Sequence, residues 1–231
     1  MAAIFFGKKY MDTRERFDLR YQLAAWNALL SIFSFIGAFR TVPHLLYNIT
    51  NASLESTICT PADQDWGCGA TGFWVQMFIF SKIPELWDTF YIVARKRPLL
   101  FLHWYHHVTV LLYCWHSYAT EASQALYFVA MNYTVHAIMY GYYCLMALKR
   151  KPKWLPPQII TVTQISQMFV GTAEQISSML VYKSGRPCNV DFNNLVRGAL
   201  MYGSYFALFF QFALERFVFP KKENPKKEKK V

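Results

Sequence analysis

Residues 71–94, TGFWVQMFIFSKIPELWDTFYIVA, form a mostly apolar stretch that ends at a basic cluster, Arg95-Lys96-Arg97. A second apolar stretch, 99–117, begins shortly after this cluster. Each stretch approaches the ~20 residues that an α-helix needs to cross a bilayer. This part of the chain therefore predicts two consecutive transmembrane helices joined by a short basic loop.

The same alternation continues along the whole chain. Four further apolar stretches lie at 22–46, 124–148, 157–182 and 194–215, so the sequence predicts six spans. Hydrophobic residues make up 54% of the 231 residues and charged residues only 16%, whereas soluble domains are roughly 25% charged. We therefore predict an all-α, polytopic membrane protein that forms a single domain over 1–231.

The basic residues predict how the spans are oriented. The chain has 24 Lys and Arg against 14 Asp and Glu, and most of the positive residues fall in four clusters, 8–20, 95–97, 149–153 and 216–230. The loops at 47–70 and 118–123 contain neither Lys nor Arg. Cytosolic loops of membrane proteins are enriched in these residues, so we expect all four clusters in the cytosol.

Both termini carry predictions of their own. The apolar run Met1–Phe6 is too short for a signal peptide and resembles the end of a longer helix. Residues 1–20 are therefore expected to form a helix stub and then a cytosolic loop. Residues 217–231 are expected to form a cytosolic basic tail. Within this tail Lys227 and Lys229 resemble the K-x-K-x-x signal that returns membrane proteins to the endoplasmic reticulum, and attraction to lipid headgroups is the alternative reading.

The side opposite to the basic clusters is predicted to be lumenal. Asn48 and Asn51 each begin an N-glycosylation sequon, and both lie in a segment assigned to this side. Three cysteines, Cys59, Cys68 and Cys188, also fall there, in an oxidising compartment where disulfides form. The residues alone leave open which two of the three pair.

Ionisable side chains inside a span are costly and indicate a functional site. Lys82, Glu85 and Asp88 recur every three residues within one predicted span, and Pro84 is expected to weaken the helix there because proline lacks a backbone N–H. An internal ion pair that only ties helices together is the alternative interpretation.

Histidines and amides mark three more spans. His103, His106 and His107 lie within five residues, at spacings that place His103 beside both other rings. The next spans carry Asn132-x-x-x-His136 before Tyr140-x-Tyr142-Tyr143, and Thr161-x-x-Gln164-x-x-Gln167. With a helical rise of about 1.5 Å per residue, most of these groups fall in the cytosolic half of the membrane. We therefore predict a polar chamber that opens to the cytosol below the basic cluster 95–97, which suits a polyanionic ligand.

These four motifs resemble those of the very long chain fatty acid elongase (ELO) family. The family pattern is K-x-x-E-L-x-D-T, H-x-x-H-H, N-x-x-x-H-x-x-M-Y-x-Y-Y and T-x-x-Q-x-x-Q on successive spans, and this chain matches all four. Its variant H-W-Y-H-H resembles the branch that prefers saturated and monounsaturated acyl chains. The resemblance implies six helices in a ring around a substrate tunnel, with a stub of the family's first helix outside it.

The resemblance also implies a reaction and a set of residue roles. The family condenses acyl-CoA with malonyl-CoA, which releases CO2 and CoA and gives a 3-oxoacyl-CoA two carbons longer. By likeness to the family, His106 is the nucleophile and His136 assists the transfer, while His103 and His107, oriented by Asp88 or Glu85, move protons. The implied substrate-binding residues are Lys82, Arg95, Arg97, Asp88, Tyr142, Thr161 and Gln164. The likeness also favours a Cys59–Cys188 disulfide over Cys68–Cys188.

We expect neither a cofactor nor a bound metal. The implied partners are the acyl-CoA and malonyl-CoA substrates, membrane lipid, the reductases and dehydratase that complete elongation, and a second copy of the chain in a homodimer, with no nucleic acid. The expected location is the endoplasmic reticulum membrane. Two alternatives remain: a di-iron desaturase or hydroxylase, which would need about eight histidines where this chain has six, and a transporter whose polar chamber only binds its substrate.

Overall fold

A computed structural model describes residues 2–219, and within that range all regular structure is helical. The predicted all-α class is therefore confirmed. The α-helices of the described range are α1 (Ala2–Asp12), α2 (Arg20–Asn51), α3 (Leu54–Cys59), α4 (Gly69–Ser81), α5 (Trp87–Ala94), α6 (Phe101–Ala119), α7 (Ala125–Ala147), α8 (Pro157–Lys183) and α9 (Phe192–Ala213). Short 3₁₀ turns lie at Ala62–Gln64 and Pro84–Leu86, and a π-helical turn extends α9 over Leu214–Val218.

The predicted span 71–94 is divided into two helices. The first helix, α4, ends at Ser81, and α5 begins at Trp87 after the 3₁₀ turn Pro84–Leu86. Proline at position 84 has no N–H to continue the α-helical hydrogen bonding, so the backbone tightens into this turn. As a result, Lys82 and Glu85 lie between the two helices.

Contacts between the long helices close a ring. Around it, α2 contacts α4, α4 contacts α6, α6 contacts α9, α9 contacts α8, α8 contacts α7, and α7 returns to α2. The closest pair, α2 and α7, meets at Gly37, where a Cβ atom would overlap the ring of Tyr133. The Tyr133 hydroxyl also donates a hydrogen bond of 2.9 Å to the Trp74 carbonyl of α4. One tyrosine thereby joins three members of the ring, while α1 lies outside it against α5.

The number of membrane spans stays a prediction. By length and composition, one helix within residues 2–219 is apolar enough to cross a membrane, and it is α2. The polar residues of α7 include Asn132 and His136, which lower its hydropathy, and α4 and α5 are each shorter than a span. Large apolar side chains on the outer faces, such as Phe39 of α2 and Leu200 of α9, are 66% and 71% exposed, as expected of helices that face lipid.

A disulfide lies at one end of the ring, which is formed by α3, the α6–α7 turn and the α8–α9 loop. We call it the lumenal end because the charge pattern assigns it to the lumenal side. Cys59 of α3 is bonded to Cys188 of that loop, with Cα atoms 4.4 Å apart. The Asn189 N–H donates to the Cys59 carbonyl at 3.1 Å, and Arg186 forms an ion pair with Glu55. Cys68 is exposed and has no disulfide. The short helix α3 is therefore held across the lumenal end.

The two predicted glycosylation sites differ in accessibility. Asn48 is half-buried inside α2, and its side-chain amide donates a 2.7 Å hydrogen bond to Asp65. Asn51 is exposed at the last residue of the same helix. Asn51 is therefore the more accessible of the two acceptors.

The structure describes the predicted terminal segments only in part. Within 1–20, α1 continues beyond the apolar run to Asp12, and its Phe5 ring lies 6.4 Å from the Trp104 ring of α6. The tail 217–231 is described only to residue 219. Lys227 and Lys229 lie outside the described residues.

Candidate active site

The break between α4 and α5 holds a buried ion pair. Lys82 and Glu85 are 2% and 4% exposed, and the Lys82 ammonium lies 2.8 Å from a Glu85 carboxylate oxygen. The Ser81 hydroxyl donates to the same oxygen at 2.9 Å. Because a lone charge is costly to bury, the two residues neutralise each other at this depth.

The α7 helix extends this network across the ring. The Lys82 ammonium also donates to the Asn132 amide oxygen at 3.3 Å and sits 3.9 Å from the centre of the Phe78 ring. His136 is buried one turn farther along α7. These Lys82 contacts are to α4, to α7 and to the turn between α4 and α5, so the lysine lies apart from the basic cluster 95–97. Its expected role in substrate binding stays a prediction.

Asp88 has partners that the sequence did not indicate. One of its carboxylate oxygens accepts from the Trp26 indole N–H at 2.7 Å, and the other accepts from the Tyr140 hydroxyl at 2.6 Å. These bonds tie α5 to α2 and α7. Within residues 2–219 neither Asp88 nor Glu85 makes a hydrogen bond to a histidine, so the expected orientation of His103 or His107 by a direct carboxylate bond is not observed.

The hydroxyl of Thr89 is the partner of His103. The His103 Nε2 atom and the Thr89 Oγ1 atom are 3.1 Å apart, and Thr89 itself is buried on α5. One turn along α6, the His107 ring lies 4.4 Å from the His103 ring. The i,i+4 spacing thus brings these two imidazoles into contact, as the sequence predicted, with their planes inclined at 45°.

His106 points toward α9. Its ring lies 4.8 Å from the Tyr205 ring and 5.6 Å from the His107 ring. The Tyr205 hydroxyl donates to the His106 backbone carbonyl at 3.2 Å and shares a hydrogen bond with Thr109. Tyr205 is almost fully buried. Tyr205 therefore holds this turn of α6 in place. No motif in the sequence indicated this role, because Tyr205 is part of an apolar stretch.

The four predicted catalytic histidines form one cluster. The His107 ring lies 4.4 Å from the His103 ring and 5.6 Å from the His106 ring, and His136 lies on α7 one turn from Asn132, which contacts Lys82. His107 and His136 are buried, while His103 and His106 are half-buried. His103 and His106 therefore keep part of their surface exposed. Across residues 2–219, no three His, Cys, Asp or Glu side chains have the arrangement needed to hold a metal ion.

The remaining predicted binding residues lie nearer the basic loops. Arg95 is half-buried and Arg97 exposed in the loop after α5. Tyr142 and Thr161 are buried on α7 and α8, and the Gln164 amide donates to the Met139 sulfur at 3.2 Å. These five residues fall on the side of the histidine cluster that faces the basic loops. Within residues 2–219, none of them forms a hydrogen bond with a histidine of the cluster.

An apolar cavity lies between the histidine cluster and the lumenal end. Its lining begins near Asn132, the residue that Lys82 contacts, and reaches Ala122 in the α6–α7 turn. Along α6 the lining residues are Val110, Tyr113, Cys114, Ser117 and Tyr118. Their spacing of three and four defines a single helical face, so the cavity runs parallel to α6 and starts one turn beyond His106.

Comparison with known proteins identifies a family and several relatives along nearly the whole chain. The ELO profile, described as the GNS1/SUR4 family, matches residues 1–227. A Drosophila melanogaster protein named very long chain fatty acid elongase 6 is 42% identical over 224 residues, which cover 95% of this chain and 70% of the relative. Proteins of the same name from Gallus gallus and Homo sapiens are 41% and 39% identical, covering 94% and 98% of this chain and 81% and 84% of the relatives.

This chain belongs to the ELO family. The family match spans nearly the whole sequence and includes all four motifs around the histidine cluster. The predicted resemblance is confirmed.

Proposed function

We propose that this protein is the condensing enzyme of fatty acid elongation, a 3-oxoacyl-CoA synthase that joins acyl-CoA to malonyl-CoA. The observation that carries the proposal is the position of His106, half-buried beside the His107 ring and one turn before an apolar cavity. The names of the relatives, which are fatty acid elongases, support the same substrate class.

The first step transfers the acyl group to His106. An imidazole nitrogen attacks the thioester carbonyl, a carbon–nitrogen bond forms, and the carbon–sulfur bond breaks. The departing CoA thiolate takes the proton that the acylated ring loses. The product is an acyl-imidazole, whose hydrocarbon chain lies in the apolar cavity.

The second step forms the new carbon–carbon bond. Malonyl-CoA loses CO2, and the electron pair of the broken bond becomes an enolate on the remaining acetyl-CoA unit. The α-carbon of this enolate attacks the acyl carbonyl, the carbon–nitrogen bond breaks, and the ring nitrogen regains a proton from solution. The balance is one acyl-CoA, one malonyl-CoA and one proton consumed, and one 3-oxoacyl-CoA, one CO2 and one CoA released.

The neighbouring histidines handle charge and protons in this scheme. His103 and His107, with rings 4.4 Å apart, donate hydrogen bonds to the enolate oxygen and relay the proton. His136 assists the acyl transfer from the opposite helix. The Lys82 and Asp88 contacts hold α5 and the turn before it against α7, and Thr89 of α5 holds His103 of α6. The role of Lys82, Glu85 and Asp88 is therefore to position the histidines.

The two substrates share one approach to the site. Arg95 and Arg97 bind the CoA phosphates, since guanidinium groups form bidentate hydrogen bonds with phosphate. Tyr142, Thr161 and Gln164 line the passage of the pantetheine arm and the thioester. Both substrates carry CoA, so they occupy this passage in turn, the acyl-CoA first.

The charge pattern supports a multi-pass arrangement in the endoplasmic reticulum membrane. In this arrangement the histidine cluster opens to the cytosol, where both CoA substrates are found. The reductases and dehydratase that convert the 3-oxoacyl product, and a second copy of the chain, are the proposed partners in the membrane.

One assay tests the proposal. Purified protein in lipid vesicles is incubated with radiolabelled malonyl-CoA and saturated acyl-CoAs of increasing length, and the products are resolved by chain length. We expect a labelled 3-oxoacyl-CoA two carbons longer than each accepted substrate. Absence of labelled product for every acyl-CoA tested, or transport of acyl-CoA across the vesicle without condensation, would contradict it.

A further inference from the structure

The imidazole of His106 lies against aromatic side chains of α9. The centres of the His106 and Tyr205 rings are 4.8 Å apart, with their planes inclined at 42°. Four residues farther along α9, the Phe209 ring lies 6.5 Å from the His106 ring at an angle of 90°. A spacing of four residues places Tyr205 and Phe209 on the same side of their helix. His106 therefore meets an aromatic surface where α6 packs against α9, and Tyr205 is the nearer part of that surface.

Hydrogen bonds and burial fix the Tyr205 ring in this position. Its hydroxyl donates to the His106 backbone carbonyl at 3.2 Å and shares a hydrogen bond with the Thr109 hydroxyl. Beside it, the hydroxyls of Tyr105 and Ser204 share a hydrogen bond of 3.0 Å, which is a second link between α6 and α9. Tyr205 is only 1% exposed. The side chain is therefore held at one distance from the His106 ring.

Acyl transfer places a positive charge on the His106 ring. When one ring nitrogen attacks the thioester carbonyl, the ring stays positively charged until its other nitrogen releases a proton to the CoA thiolate. A charge inside the membrane is costly unless it is stabilised, and a carboxylate hydrogen-bonded to the histidine does this in many enzymes. Within residues 2–219 the His106 ring has no such bond. Glu85 is paired with Lys82, and both Asp88 oxygens are hydrogen-bonded to other helices.

We infer that Tyr205 is the electrostatic partner of His106 and that its π-electrons stabilise the positively charged, acylated imidazole, an inference that rests on the proposed function. The face of an aromatic ring is negative, and it attracts a cation that lies within about 6 Å of its centre, more strongly away from water. The distance of 4.8 Å between the His106 and Tyr205 rings falls within this range, whereas the 6.5 Å to Phe209 does not. Tyr205 thus replaces the usual carboxylate without burying a second charge.

A series of fluorinated phenylalanines at position 205 tests this inference. Each ring fluorine withdraws electrons from the ring face but changes the size of the side chain little, so the packing is kept while the attraction for a cation falls. The measured quantity is the rate at which the acyl adduct forms on His106 from acyl-CoA without malonyl-CoA, followed by intact-mass analysis at short times. Compared with Tyr205→Phe, phenylalanines with one, two and three ring fluorines should react progressively more slowly, by about tenfold over the series. Tyr205→Leu, which has no ring, should be slower than Tyr205→Phe by about 30-fold.

The matched control is the same fluorinated series at Phe206, the next residue of α9. The Phe206 ring has its aromatic contacts with Phe169 and Phe210, so the rate of adduct formation should not change along that series. If Tyr205 served only packing, Tyr205→Leu would be slow while the fluorinated series at position 205 stayed flat. A flat series at position 205 would therefore overturn the inference, even if Tyr205→Leu failed to fold, and would leave the proposed function standing. Absence of an acyl adduct on the wild-type protein would overturn the acyl-imidazole step and this inference with it.

Discussion

The α6 helix carries four histidines in two different environments. At its lumenal end, His116 shares a 3.1 Å hydrogen bond with the Asn194 amide oxygen. At the other end, neither His106 nor His107 has a side-chain hydrogen bond within residues 2–219, and their rings contact other aromatic rings. His116 is thus fixed by a contact between α6 and α9, whereas the ring nitrogens of His106 and His107 have no protein partner among the described residues. The residue type and the helix are the same at both ends, so the surroundings distinguish a packing histidine from a catalytic one.

The strongest test of this contrast replaces one histidine at each end of α6. His106→Ala should lower the rate of condensation by about 10³-fold or more, as removal of a nucleophile does in other enzymes, and His136→Ala should be similarly severe. His116→Ala should keep the rate within severalfold of wild type, since it removes only a helix contact. Condensation of malonyl-CoA measures the rate, and size-exclusion chromatography in detergent checks folding. Equal losses of condensation rate for His106→Ala and His116→Ala would contradict the distinction between the two ends of α6.

The Lys82–Glu85 pair tests whether the histidine end depends on a structural charge network. Glu85→Gln leaves the Lys82 ammonium buried without its counter-charge, which should destabilise the protein by about 3–5 kcal/mol. The double variant Lys82→Met/Glu85→Gln removes both charges and should recover most of that loss. Thermal unfolding in detergent measures both effects. A single variant as stable as wild type would show that the pair does not hold α4 and α5 at this position.

Much of the histidine end could be predicted from the sequence because its signals are local. The i,i+4 spacing of His103 and His107 brings their rings together, and Pro84 breaks the span where the motif predicts. The ion pair of Lys82 with Glu85 also follows from a spacing of three residues.

The long-range contacts could not be predicted in the same way. The bonds of Asp88 to Trp26 and Tyr140 join three helices, and the partner of His103 is Thr89, fourteen positions away. Tyr205 reaches His106 only because α9 packs against α6. Such partners depend on which helices become neighbours, and spacing within one helix carries no information about that.

The basic loop should show the smallest effect of the three tests. Arg95→Ala/Arg97→Ala should raise the apparent KM for acyl-CoA and for malonyl-CoA together, by about tenfold, since hydrogen bonds to charged groups contribute about 1.5–3 kcal/mol. The turnover number should change little because these residues lie away from the histidines. Steady-state kinetics with each substrate varied in turn gives both constants. If the KM for both substrates is unchanged in a variant that keeps the wild-type orientation in the membrane, the basic cluster sets only that orientation and does not bind CoA.

The central claim is that His106 carries the acyl group, and intact-mass analysis tests it directly. Protein is incubated with acyl-CoA in the absence of malonyl-CoA, measured whole, and then digested to locate the modified residue. We predict one acyl adduct on His106 that disappears when malonyl-CoA is added. The adduct should be absent from His106→Ala and present in His116→Ala. An adduct on Cys114 or Cys144, or none on wild-type protein that still condenses both substrates, would contradict the acyl-imidazole mechanism.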